Sequence, residues 1–172
     1  NGGLFEKIIP LELSKKEVEL RDVACNKYWL NSNPSIFGAI FEGGMDKDER
    51  HVLGAHYTSE IDIKKIVDPV IVQPWRQKID NVLDNHNPKE RGETADALKA
   101  LHIELTNYKV LDPACGSGNF LFIAYKEIKL IEKEILRHFK LIADNKASWN
   151  YAVNCNYVST KQFFGIDLNP YA

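Results

Sequence analysis

The stretch Tyr108-Lys109-Val110-Leu111-Asp112-Pro113-Ala114-Cys115-Gly116-Ser117-Gly118-Asn119-Phe120-Leu121 decides the fold. Its first five residues read as a short strand that ends in an acid. Pro113 to Gly118 is a turn of small residues. Beyond Asn119, the residues Leu121, Ala124, Ile128, Ile131, Ile135, Phe139 and Ile142 recur every three or four positions. That spacing predicts an amphipathic helix to about Ala143. At a rise of about 1.5 Å per residue it runs roughly 36 Å. Further on, Phe163-Phe164-Gly165-Ile166-Asp167 reads as a second strand, again closed by an acid. Strand, glycine turn, helix, strand is a βαβ unit, so the expected class is α/β.

The turn has the chemistry of a nucleotide-like ligand site. Gly116 and Gly118 remove side chains where the ligand must approach backbone closely. The helix that starts at Asn119 offers unpaired N–H groups and the positive end of its dipole. A third glycine at the spacing of a dinucleotide fingerprint is missing, because Leu121 stands there. Asp112, just before the turn, would repel a pyrophosphate. It suits a cationic group, such as the amino group of a methionine moiety. This tilts the expected cofactor from NAD toward S-adenosylmethionine. At the end of the second strand, Asp167 is placed to accept from ribose hydroxyls. The separation of Gly118 from Asp167 exceeds the usual roughly 20 residues. The long helix and a polar, irregular segment at 144–160 account for the excess.

Upstream, the reading is helical. Ser14 with Glu17 forms a capping box for a helix from about 15 to 30, with Val18, Val23 or Ala24, and Tyr28 facing a core. Asn31 to Pro34 breaks it. Ser35 to Glu42 is a short apolar helix stopped by Gly43-Gly44, and Asp46 to Val52 a charged helical turn. Thr58 to Asp62 is a second capping signal. A helix over about 60–68 follows, interrupted by Pro69 and resuming near 70 through Trp75. Asn85 to Gly92 is a polar loop, and Thr94 to Leu105 a short helix.

Composition bounds the rest. The chain has 172 residues, 44% of them hydrophobic and 27% charged, which is globular rather than disordered. Its formal charge is −2, so a self-sufficient nucleic-acid grip is not expected in it. No stretch spans a bilayer and no signal segment opens the chain. Cys25, Cys115 and Cys155 have no CxxC spacing, and the five histidines form no ligand-spaced cluster. No metal is expected, and a reducing, cytoplasmic setting is. With Asn1 first and the second strand close to Ala172, the sequence reads as a piece of a longer protein. Its sheet would be incomplete, so the excised piece is expected to self-associate through an open strand edge.

Several features are weighed and set aside. Lys126, Lys129, Lys133, Arg137 and Lys140 stripe the long helix, flanked by Glu127, Glu132 and Glu134. A solvated outer face is preferred to a DNA-tracking one. Trp29, Trp75 and Trp149 are read as packing anchors rather than base-stacking platforms. Cys115 is read as a small packing residue rather than a nucleophile.

Three motifs in order carry a resemblance. His56-Tyr57-Thr58, Asp112-Pro113-Ala114-Cys115-Gly116-Ser117-Gly118 and Phe164-Gly165-Ile166-Asp167-Leu168-Asn169-Pro170 look like motifs X, I and II of the amino-type DNA methyltransferases. The set is most similar to the MmeI-like, type IIG restriction-modification enzymes. Asn1 to Phe5 and Ile36 to Phe41 resemble the helical connector between their nuclease and methyltransferase parts. The resemblance implies a helical connector over 1–52. It also implies motif X and the opening βαβ of a Rossmann-like, S-adenosylmethionine-dependent methyltransferase over 53–172. It implies cofactor contacts at Tyr57, Thr58, Asp112, Pro113, Ala114, Cys115, Gly116, Gly118, Asn119, Phe120, Asp167 and Leu168. Tyr57 and Thr58 would meet the methionine end, Asp167 the ribose, and Leu168 the adenine. The family's catalytic loop, an Asn/Asp-Pro-Pro-aromatic string, is absent. Asn169-Pro170-Tyr171 follows the wrong strand and lacks the second proline, so no catalytic residue is assigned. The implied reaction is methyl transfer to the exocyclic amine of adenine in duplex DNA, with the DNA held mostly by parts outside this segment. A methyltransferase of RNA or protein, and a non-catalytic binding or assembly module, are the rival readings.

Overall fold

The computed structural model describes residues 10, 12–27, 58–85, 87 and 89–168. The chain divides into two compact units, one of residues 58–168 and the other of residues 1–57 with 169–172. The expected elements at 1–5 and 31–52, and His56, Tyr57, Tyr28 and Trp29, lie outside the described residues.

Helix α1 (Lys15–Cys25) belongs to the second unit. The Ser14 hydroxyl accepts from the Glu17 N–H, and the Glu17 carboxylate accepts from the Ser14 N–H at 2.8 Å. The capping box is therefore formed as expected. The helix stops at Cys25, short of 30, because Asn26 turns its side-chain amide back onto the Asp22 carbonyl at 2.8 Å. None of its residues is buried. The expected core face of Val18, Val23 and Ala24 is corrected accordingly, since too few apolar residues interrupt the charges to make one.

In the 58–168 unit, α2 (Glu60–Val67) starts at Ser59, whose hydroxyl accepts from the Asp62 N–H at 3.2 Å. Pro69 does not break the chain out of helical form. It lacks an N–H, so no bond can return from it to Lys65. The chain continues through a π-helical turn (Asp68–Val72), with the Gln73 N–H reaching the Asp68 carbonyl and Pro74, likewise without an N–H, directly after it. Helix α3 (Gln73–Asp84) continues from it, well past Trp75. The buried residues Ile63, Val67, Ile71, Trp75 and Ile79 step by four. That period lags an ideal helix by about 40° per step. The wider π turn takes up part of the lag and keeps the stripe facing inward.

Helix α4 (Arg91–Asn107) is longer than the expected 94–105 and takes in Gly92. It buries Leu98, Leu101 and Leu105. Helix α5 (Asn119–Ile142) matches its expected span. It lies against α4 and against the rod of α2 and α3, burying Ile123, Ala124, Ile128, Ile131, Ile135 and Phe139. Each of these isoleucines and the phenylalanine contributes roughly 1.5–3 kcal/mol of transfer free energy. Leu121 and Ile142 are only half-buried.

Strands β1 (Val110–Asp112) and β2 (Phe163–Gly165) pair in parallel, with Val110 opposite Phe163, Leu111 opposite Phe164 and Asp112 opposite Gly165. Alternation sorts their faces. Phe163 turns toward α5, edge-on to Tyr125 at 5.5 Å. Leu111 and Phe164 are exposed.

The segment 144–160 is not simply irregular. Asp144 caps a helix α6 (Asn145–Asn154), accepting from the Ala147 N–H at 2.7 Å. Tyr151 points inward from it onto Phe139, ring centroids 5.0 Å apart. Trp149 is 71% exposed and anchors nothing, whereas Trp75 is buried against the Tyr108 ring.

Two glutamates expected on the outer face of α5 are buried, Glu127 and Glu132. Lys64 pairs with Glu127 at 3.2 Å, and Lys126 with Glu60 at 3.4 Å. Among the described residues, no helix is long and apolar enough to cross a membrane, and no group of histidine, cysteine or acidic residues could hold a metal ion.

Candidate functional site

Asp112 ends β1 with its carboxylate divided between two environments. Oδ1 accepts from the Ala114 N–H at 3.1 Å, bending the chain back after the strand. Oδ2 is buried and has no hydrogen-bond partner among the described residues. A buried carboxylate oxygen left without a donor is costly, so this position calls for a partner such as a ligand cation, an ion or water.

Beyond it, the turn is held at each step. The Cys115 N–H donates to the Ile166 carbonyl at 3.0 Å, and the Ile166 N–H to the Asp112 carbonyl at 2.9 Å. The Gly118 N–H donates to the Cys115 carbonyl at 2.8 Å. Gly116 and Gly118 have φ of +51° and +81°, in the left-handed region that other residues occupy at a cost. A Cβ at either would meet nothing within 4 Å among the described residues. The loop is thus open on the side where these glycines lack side chains. Gly118 is also the N-cap of α5 and brings no side chain to satisfy the first N–H groups of that helix. Asn119 and Phe120, in its first turn, are half-buried, and Pro113 and Ala114 are exposed.

Asp167 closes the loop from β2. Its Oδ2 accepts from the Gly116 N–H at 2.8 Å. The structure therefore brings Asp112, the glycine turn and Asp167 together at one end of the two strands. Leu168 is 99% exposed beside them. Thr58 is half-buried, and Glu60, two residues on, reaches Lys126 in the second turn of α5.

Cys115 is a packing residue here. Its thiol is pushed up from its ordinary value, first by burial and then by the Asp167 and Asp112 carboxylates. A thiol so placed keeps its proton and is a poor nucleophile. Its sulfur fills the place where a side chain on Gly165 would go, 2.7 Å from that Cβ position. Gly165 is thus needed for close approach. A glycine inside a strand pattern signals such contacts, and that signal was legible.

The sequence reading missed a buried polar cluster that lies about 20 Å along α5 from the turn. His102 is 1% exposed on α4. Its Nδ1 lies 2.8 Å from the Tyr151 hydroxyl and its Nε2 3.3 Å from Glu132 Oε1. The ring serves both partners when Nε2–H donates to Glu132 and Nδ1 accepts from Tyr151. Burial alone would raise the Glu132 carboxyl, but donors from His102, Lys129 and the Val158 N–H hold it below its usual value. Glu132 falls four residues after Ile128, and His102 between Leu101 and Leu105. A polar residue on an apolar stripe is the sign of a buried pair.

A groove of about 840 Å³ lies between α4, the end of α5 and α6, lined by residues including Ala95, Lys99, Phe139, Ala147 and Tyr151. It includes none of the loop residues above.

Residues 87–172 match the family model described as MmeI, DNA-methyltransferase domain. Over 175 residues the chain is 31% identical to DNA methyltransferase A of Bacillus subtilis, covering all of this chain and 18% of that protein. It is 31% identical over 170 residues to a type II restriction enzyme and methyltransferase of Methanocaldococcus jannaschii, covering 78% of this chain and 14% of that protein. Among solved structures, the type IIL restriction-modification enzyme MmeI in complex with DNA superposes with a TM-score of 0.78 at 33% identity. That match covers 99% of this chain and 21% of the MmeI chain. The chain thus spans about a fifth or less of the length of these relatives.

Proposed function

Because this chain belongs to the MmeI DNA-methyltransferase family, we propose that its strand–turn–helix–strand region is the S-adenosylmethionine-binding part of a DNA adenine-N6 methyltransferase within a restriction-modification polypeptide. The observation that carries the reading is the buried Asp112 Oδ2, without a donor among the described residues, set beside two left-handed glycines whose Cβ positions no described residue approaches. A cationic amine fits that oxygen, and close approach to backbone fits the glycines. The residues present suit the cofactor.

When bound, S-adenosylmethionine supplies a methyl group made electrophilic by its sulfonium. The chain's own residues orient the donor. Asp112 binds the ammonium of the methionine end. The first N–H groups of α5, at Asn119 and Phe120, attract its carboxylate. Asp167 accepts from the ribose while it steadies the Gly116 amide, since a carboxylate has acceptor sites for several donors. Leu168 would offer apolar surface to the adenine, and Thr58 would meet the methionine end; Tyr57, given the same role by the resemblance, lies outside the described residues. Pro113 and Ala114 shape the turn, and Cys115 packs beneath it. The adenine amine accepts the methyl group, and holding the flipped base is left to the catalytic loop expected elsewhere in the polypeptide. Catalysis in this segment is positioning of one reactant.

Transfer of labelled methyl from S-adenosylmethionine to unmethylated duplex DNA by the full-length protein tests the reading, with mass spectrometry to identify the base. Label on the adenine amine is expected. Label on RNA or protein only, or none despite cofactor binding, overturns the assignment. Asp112→Asn separates binding from folding. It keeps the acceptor for Ala114 and removes the charge. Calorimetry should show at least tenfold weaker cofactor binding, with a denaturation midpoint unchanged or raised without cofactor.

A further inference from the structure

Both strands are three residues long, and a single short pair is marginal by itself. Its register matters, because a one-residue slip of β2 would turn Asp167 to the opposite face and bring a side chain against Cys115 in place of Gly165. Something outside the ladder must hold the register.

Gln162, immediately before β2, is placed to do so. It is 7% exposed, and its polar groups are engaged. Nε2 donates to the Leu105 carbonyl at 2.9 Å and to the Tyr108 carbonyl at 2.8 Å. Oε1 accepts from the Ser159 N–H at 3.0 Å. Both N–H donors of the amide and its carbonyl oxygen are thus engaged. Leu105 is in the last turn of α4, and Tyr108 lies two residues before β1. One side chain thus bonds the backbone leading into β1 and the backbone leading into β2. From the other side, Glu132 Oε1 accepts from the Val158 N–H at 2.6 Å. The segment 158–162 is pinned to α5 at one end and to α4 at the other.

We propose that Gln162 is a positioning residue for the donor site, its buried amide setting the register of β2 against β1 and so presenting Asp112 and Asp167 to the same ligand. This rests on the reading of that strand end as a cofactor site. Gln162 touches no ligand. It acts through the backbone of β1 and β2.

The test uses the full-length protein and three variants. Gln162→Met keeps length and volume and loses the hydrogen bonds. Gln162→Asn keeps the amide but withdraws it by one methylene. Leu98→Ala truncates a fully buried residue of α4 and serves as a control for lost stability alone. Calorimetry reads S-adenosylmethionine affinity, and hydrogen exchange with mass spectrometry reads the 112–121 peptide, which contains the Gly116 amide bonded to Asp167. Both Gln162 variants should bind the cofactor about tenfold more weakly, equivalent to about 1.4 kcal/mol. Exchange in 112–121 should quicken about tenfold while peptides within 123–139 stay protected. The kcat at saturating cofactor should stay near wild type. Leu98→Ala should lower the denaturation midpoint without moving affinity or local exchange. Unchanged affinity and exchange in both Gln162 variants overturns the proposal. So does the same loss of affinity in Leu98→Ala, because stability would then explain it. A wild type that fails to bind S-adenosylmethionine sinks the cofactor reading instead, and the exchange comparison alone then decides the role of Gln162.

Discussion

Gly165→Ala is the most demanding single-atom test of the site. The added Cβ would stand 2.7 Å from Cys115 Sγ, 3.0 Å from Cys115 Cβ and 3.2 Å from Leu121 Cδ1. Ordinary contact between carbon atoms is about 3.5–4.0 Å, so the sulfur must retreat by about 1 Å. The Cys115 backbone is tethered through its N–H to Ile166 and through its carbonyl to Gly118. The strain therefore passes to the next residue, Gly116, whose N–H bonds Asp167. Overpacking of this kind costs about 1–3 kcal/mol. Urea denaturation of the full-length protein should show a loss in that range. If the loop moves as argued, S-adenosylmethionine affinity should fall by about fivefold to a hundredfold. Cys115→Ala removes the 2.7 Å contact and leaves the 3.0 Å one. In that background Gly165→Ala should cost less than half as much, a coupling that a double-mutant cycle resolves. A Gly165→Ala protein with wild-type stability and affinity would refute the reasoning. So would an equal cost in both backgrounds.

Other outcomes follow from the same geometry. Asp167→Ala removes the acceptor of the Gly116 N–H, so calorimetry should show cofactor affinity weaker by at least tenfold; unchanged affinity would sink the site assignment. The Glu132 carboxyl is held below its usual value in the folded state, so its stabilisation is present above about pH 4.5 and fades as pH falls through the lower folded value. Denaturation midpoints measured from pH 7 down to pH 3 should therefore fall less steeply in Glu132→Gln, which also starts lower. Equal slopes would show that the carboxylate is not so held. Lys133→Ala should leave DNA affinity and its salt dependence nearly unchanged, and a large loss would make the exposed face of α5 a DNA surface.

What could be read in advance was local. The span of α5 followed from apolar residues three and four apart, and both serine caps from residues three apart. That Asp112, the glycine turn and Asp167 meet at one end of the strands was legible because the strand–turn–helix–strand order places them there. The errors were also local in origin. Pro69 looked like a break, yet the chain stays helical through a π turn, because apolar residues on both sides share one core. The 144–160 segment looked irregular because α6 has little apolar periodicity beyond Tyr151 and Ala147, although Asp144 caps it.

The sequence by itself determined the strand–turn–helix–strand order, the position of the turn and the chemical character of its two acids. These depend on periodicity and on turn conformation, which act over a few residues. Only the tertiary structure decided that Asp112 keeps an orphaned oxygen, that Cys115 fills the space above Gly165, and that Gln162 and Glu132 hold β2 in place. The last two bonds join residues 57 and 26 positions apart. Whether a buried amide or carboxylate finds its partner depends on how helices and strands pack. No window of neighbouring residues contains that information.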